Sequence, residues 1–451
     1  MSQILAPLEI QNSAHLLSGA ADDFDFLLHL VGEARFVTLG AASHGTREFY
    51  EARARLTRRL IEEKNFDAVA VEADWPDAYR VNCWARGASD DADAAQALGD
   101  FTRFPTWMWR NREVAEFVDW LHFHNNNGLK KVGFYGLDLY SLHASIEAVT
   151  RTLARADPAA ARRARERYAC FERFGPEAQE SGFHASLGVS PSCEDEAVAQ
   201  LQELQKQTAD AAARDNRVAR DGHFYAQQNA RLVVDAEKYY RAMFARRDQS
   251  WNLRDTHMAD MLDALAEHLG ERSKIVVWAH NSHLGDARAT EMARRGEINL
   301  GQLVRERHPD QTVNVGFSTN AGQVTAASDW DAPAERKCVR SGLGGSFEAL
   351  FHEAAEQIGD FGLNLREPEV REMLHAPQLQ RAIGVVYRPD TECLSHYFEA
   401  NLPQQFDVML HYDQTHAVEP LEPSEVWQRG EHPQPEPHAL EEVPETYPSG
   451  V

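Results

Sequence analysis

Phe36-Val37-Thr38-Leu39-Gly40-Ala41-Ala42-Ser43-His44-Gly45 decides how the chain is read. A short run of apolar and β-branched residues stops at a glycine and passes into Ser-His-Gly. That pattern predicts a buried strand which delivers a histidine at its carboxyl end. Helical periodicity follows from about Thr46 to Glu63, with Phe49, Leu56, Leu60 and Ile61 apolar. A second apolar strand, Ala68–Val71, ends in Glu72-Ala73-Asp74. Strand, helix and strand within about 40 residues make a βαβ unit with a right-handed crossover.

The same design returns far along the chain in Ile275-Val276-Val277-Trp278-Ala279-His280-Asn281-Ser282-His283. Further strands are expected at Lys131–Tyr135, leading into Gly136-Leu137-Asp138, and at Val313–Phe317, Ile383–Tyr387 and Phe406–Leu410. Between Ser145 and about Leu269 the pattern is helical and charged, broken by a Gly/Ser/Pro-rich stretch at 174–193. The expected class is α/β, with a mostly parallel central sheet, helices on both faces and a helical insertion. Residues 1–144 and 271–418 would form the core, 145–270 the insertion, and 419–451 a Pro/Glu-rich extended tail.

Composition narrows the partners. The 451 residues carry a net charge of -24, from 70 acidic and 46 basic side chains. Sequence-independent nucleic-acid binding depends on neutralising phosphates with Lys and Arg, so it is not expected. No apolar stretch is long enough to span a bilayer and no leader-like segment opens the chain, which points to a cytoplasmic protein without membrane partners. The five cysteines are widely spaced and form no C-x-x-C, so reduced, mostly buried thiols are expected.

In open α/β sheets ligands bind at the carboxyl ends of the strands. His44 stands there, where the positive end of the following helix favours a neutral imidazole, the form a general base needs. Glu72 follows an apolar run and needs a partner, Arg53 or a histidine. His280 and His283 have the H-x-x-H spacing of metal ligands, or one orients substrate while the other steadies an oxyanion, and Asn281 adds donors. Asp74 and Asp138 each stand at the end of an expected strand, and Trp107 and Trp109 would wall a pocket for a bulky ligand. No G-x-S-x-G elbow occurs, and Ser43 and His44 are adjacent, so their side chains point apart. Glycine-rich phosphate loops are absent and no cofactor is implied.

Leu39-Gly40-x-x-Ser43-His44-Gly45-Thr46-x-Glu48-Phe49-Tyr50, Val71-Glu72-x-Asp74-Trp75-Pro76-Asp77, Phe104-Pro105-Thr106-Trp107-Met108-Trp109, Gly136-Leu137-Asp138 and Trp278-Ala279-His280-Asn281-x-His283 together resemble the erythromycin esterase family, in order from roughly Gly32 to His416. The resemblance implies an α/β fold with a helical portion and a deep cleft. It implies hydrolysis of a small-molecule cyclic ester, as in opening a macrolide lactone. It implies a histidine that activates water without a covalent serine intermediate. By motif position that histidine is His44, supported by Arg53, Glu72, His280 and His283. The family usually has glutamate after the first glycine, where this chain has Ala41. Two other readings stand beside this one. In the first, His44, His280, His283 and Glu72 or Asp74 hold a metal. In the second, the chain binds a ligand without turnover and Ala41 marks lost catalysis.

Overall fold

Eleven strands form among the described residues: β1 (His15–Leu16), β2 (Phe36–Leu39), β3 (Ala68–Asp74), β4 (Gly133–Asp138), β5 (Ile275–Trp278), β6 (Thr312–Ala326), β7 (Glu335–Val339), β8 (Phe361–Asn364), β9 (Gln378–Arg381), β10 (Tyr397–Ala400) and β11 (Val408–Thr415). The computed structural model describes residues 2–128, 130–171, 193–212, 217–243 and 247–430. The chain divides into two units. The first comprises Met1–Val69, Cys83–Gly133 and Arg272–Val451; the second comprises Ala70–Asn82 and Phe134–Glu271. The fold is α/β, with a mixed, mostly parallel sheet.

In the first unit the strands run in the order β1-β8-β11-β6-β2-β5, with β7 added to the far end of β6. β2 is parallel to both β5 and β6, matching Leu39 with Trp278 and with Val315. β11 is parallel to β6, β8 is antiparallel to β11, and the short β1 closes that side antiparallel to β8. β2 and β5 are buried at every position, which is why they read as continuous apolar runs.

Two helices of the first unit take opposite faces of this sheet. Phe49 of the helix Arg47–Lys64 packs its ring on Phe317 and Tyr412. Phe351 of the helix Phe347–Ile358 packs on His411. His411 and Tyr412 are consecutive in β11, so their side chains point to opposite faces. The Arg47 helix buries Phe49, Arg53, Leu56, Thr57 and Leu60 at helical spacing. Each fully buried Leu or Phe contributes roughly 1.5–3 kcal/mol. Asn65 ends the helix at φ 60°, its N–H on the Leu60 carbonyl.

In the second unit β3 and β4 are neighbours. The long helix Arg217–Met243 packs against Leu142–Ala156, Glu194–Ala212 and Arg247–Leu269, so it buries residues on several sides, among them Ala226, Ala230, Leu232, Val233 and Tyr239. No helix among the described residues is long and apolar enough to cross a membrane.

Three expectations change. Ile383–Tyr387 is not a strand. It crosses two neighbours by single bridges, Ser43 to Ile383 and Ala327 to Val386, so its apolar residues pack without a ladder. Cys170 and Cys193 are joined as a disulfide, across a Cα separation of 6.1 Å, rather than both being reduced; their distance in sequence conceals that the two positions fold together. Within the tail, Glu425–Arg429 forms a one-turn helix capped by Ser424, and the Trp427 indole donates to Thr325 Oγ1 at 2.8 Å. Residues 431–451, and the 174–193 stretch apart from Cys193, lie outside the described residues.

Candidate active site

The turn that follows β2 is fixed by its backbone. Gly40 donates to the Val315 carbonyl, and the Ala41, Ala42 and Gly45 carbonyls accept from Asn281, Ile383 and Thr325 respectively. Glycine is required at two of these positions. A Cβ on Gly45 would lie 1.8 Å from the Thr325 carbonyl oxygen, and one on Gly40 would lie 2.1 Å from Asn281 Oδ1. The hydroxyls of Ser43 and Thr46 bond to each other inside the turn. Glu48, in the first helical turn, accepts from the backbone N–H of His416 at 2.8 Å and contacts its Nδ1 at 2.7 Å.

β2 and β5 are adjacent and parallel, so their carboxyl ends emerge side by side. This brings the rings of His44 and His280 to 4.8 Å between centroids. His44 is 9% exposed and His280 only 1%, so His44 is the more open of the pair. His280 caps the one-turn helix Asn281–Leu284. Its Nδ1 receives the backbone N–H of Ser282 at 3.2 Å and lies 2.8 Å from that residue's hydroxyl. A backbone N–H can only donate, so Nδ1 accepts and the proton of the neutral ring sits on Nε2. His283, also buried, follows one turn later, its N–H on the His280 carbonyl at 3.0 Å.

Arg53 reaches the same strand ends from the Arg47 helix. Its Nε donates to the Gly40 carbonyl at 2.8 Å and its Nη2 to the Ala279 carbonyl at 2.6 Å. It therefore joins the end of β2 to the end of β5 just before each histidine loop. Tyr50, one turn earlier, places its hydroxyl 2.8 Å from the His44 carbonyl and 2.8 Å from the Met108 carbonyl. That contact ties the Trp107–Trp109 loop to the histidine turn. Both tryptophans are buried, and the Trp107 indole N–H meets no acceptor among the described residues.

Asn281 is engaged elsewhere. Its Nδ2 donates to the Phe317 carbonyl at 2.7 Å, and its Oδ1 accepts the Phe317 N–H at 3.3 Å. These two bonds hold Asn281 against β6 and leave its amide a second donor hydrogen and a second lone pair.

The second unit holds Glu72, Asp74 and Asp138. Glu72 and Asp138 share Arg254, of the helix Arg247–Leu269. Arg254 Nη2 lies 2.7 Å from Glu72 Oε1 and 2.7 Å from Asp138 Oδ2, while Nε donates to Asp138 Oδ1 at 3.0 Å. Burial alone would push the guanidinium down, but Asp138, Tyr140 and Glu72 outweigh it and hold it well above its usual value. The arginine stands over the Tyr140 ring at 5.0 Å. Asp74 is buried, and its carbonyl lies under Gly136 of β4. Arg254 was missed in the sequence, though a signal exists: it falls at helical spacing between the buried Trp251 and Met258. Among the described residues no group of three or more His, Cys, Asp or Glu is arranged to hold a metal ion.

A family model for erythromycin esterase matches residues 61–415. The chain belongs to the erythromycin esterase family. That family supports a hydrolase. Along most of its length the chain is similar to YbfO, a candidate hydrolase of Bacillus subtilis (strain 168), with 22% identity over 427 residues covering 89% of this chain and 87% of YbfO. It is 30% identical to erythromycin esterase type II of Escherichia coli over 118 residues, 26% of each chain. Among solved structures, a succinoglycan biosynthesis protein superposes with a TM-score of 0.76 at 21% identity, covering 92% of this chain and 98% of that one. An erythromycin esterase mutant, EreC, in its open conformation superposes at 0.64 with 18% identity, covering 90% of this chain and 96% of that one. At those identities the two structures establish the shared fold.

Proposed function

We propose that this member of the erythromycin esterase family hydrolyses a carboxylic ester of the macrolide lactone class, with His44 as general base. Water gives a proton to the His44 ring as its oxygen attacks the ester carbonyl. The tetrahedral oxyanion takes a hydrogen bond from His280 Nε2–H. Collapse breaks the C–O bond, and His44 returns the proton to the departing alkoxide, leaving the opened ring with an alcohol and a carboxylic acid, which loses its proton to solvent at neutral pH. Arg53 and His283 hold the two loops, and the Trp107 indole offers a donor to a ligand oxygen. Glu72, Asp74 and Asp138 belong to the same proposal as the acidic residues of the family motifs.

The observation that carries this reading is the pairing of two buried imidazoles 4.8 Å apart, His44 the less deeply buried and His280 with Nδ1 taken as an acceptor, which directs the proton of its neutral form to Nε2. The test is a panel of macrolides and simple esters read by mass spectrometry for uptake of one water. Turnover by the wild type and none by His44→Ala supports the role of His44; full activity in that variant ends it. Ala41 favours a second reading, capture of the ligand without turnover. Under it the same panel gives thermal stabilisation of the protein and no product.

A further inference from the structure

We propose that a second ligand site, for a small polyanion, lies at the amino ends of β6 and β11. Those ends are opposite the strand ends that carry His44 and His280. A cavity of about 610 Å³ opens there, lined by Arg288, Arg305, Arg366 and Arg371 and by Asp286, Asp310 and Asp407. Its volume suits a small molecule rather than a bare ion. Four guanidinium groups in one hollow stand out in a chain of net charge -24.

Two of the acids act as anchors for arginines. Asp407 accepts the Asn314 N–H at 2.7 Å, Arg305 Nη2 at 3.1 Å and Arg366 Nε at 2.9 Å. Burial would raise its pKa, but Arg305 and Arg366 outweigh that and hold it below the usual carboxylate range, so it stays ionised. Asp286 accepts from Arg288 through both oxygens, and Arg305 Nη1 lies 3.4 Å from its Oδ2. Arg305 also donates to the Gln404 carbonyl at 2.8 Å. Three guanidinium groups are thereby held in place before any ligand arrives, which lowers the ordering cost of binding. Arg371 is exposed and has no carboxylate partner among the described residues. Its planar fork is free to take two oxygens of a phosphate or carboxylate. Asp310, the third acid, is exposed at the rim and opposes an incoming anion.

Titration calorimetry on the full chain, with inorganic pyrophosphate and with citrate as probes, tests the site. Saturable one-to-one binding of either probe is expected, and which one binds tells phosphate from carboxylate chemistry. Arg371→Ala, a surface change that spares the fold, is expected to weaken binding about tenfold. Asp310→Asn is expected to tighten it about threefold. No saturable heat with either probe, or an unchanged affinity in Arg371→Ala, overturns the proposal. The measurement reads binding alone, so it stands whether or not an ester is cleaved at the other end of the sheet.

Discussion

The imidazole rings of His44 and His280 lie 4.8 Å apart and are tilted by 37°, although 236 positions separate them in sequence. Their closeness follows from strand order. β2 and β5 are neighbours in register, and each histidine follows the end of its strand by a few residues.

That geometry makes His44→Ala the cleanest functional test. A missing general base costs about 100- to 10,000-fold in rate. Ester turnover should fall by at least that factor, with the circular dichroism spectrum unchanged. His280→Ala is less clean, because the ring also caps a helix.

Arg53 is buried and serves two main-chain carbonyls. Replacement by methionine keeps the volume and orphans both acceptors. A buried unpaired polar group costs about 1–3 kcal/mol, so Arg53→Met should lose roughly 2–5 kcal/mol in a urea unfolding titration. A loss under 1 kcal/mol would show that the bonds to Gly40 and Ala279 contribute little.

Arg254→Met strips Glu72 and Asp138 of a shared buried cation. Removing one partner from a buried ion cluster costs about 3–5 kcal/mol. Adding Asp138→Asn should recover part of the loss, because one uncompensated charge goes with it. Equal stability of the single and double variants would contradict this account.

Glu113 gives a pH-dependent prediction. Burial pushes its carboxyl up to about 7, with Arg47 at 3.8 Å pulling the other way and Glu51 adding to the rise. The folded state favours the protonated form. Its contribution is therefore full below the ordinary carboxylate range and is lost as pH rises through 7. Glu113→Gln should stabilise the protein at pH 8, on the order of 1 kcal/mol after solvent screening, and make no difference near pH 5. Thermal melts at the two pH values decide it.

The strands that lead into the two histidine loops were legible because they are buried on both faces. Phe36–Leu39 and Ile275–Trp278 form with the bounds read from their apolar runs. β7, β9 and β10 were not legible, since short strands of mixed polarity such as Glu335–Val339 and Gln378–Arg381 resemble loops. The apolar run Ile383–Tyr387 misled for the opposite reason: it is buried by packing, without a ladder. At the site, the histidines were visible from their place after strands. Arg254 was hidden in a helix rich in charge, where one buried arginine resembles its solvated neighbours. Tyr50 was hidden because nothing in sequence links it to Met108.

Tyr50 has one phenolic proton and two carbonyls within reach, one on the histidine turn and one on the tryptophan loop. Any displacement of the tryptophan loop is therefore passed through this one hydroxyl to the turn that holds His44, so the two segments shift together.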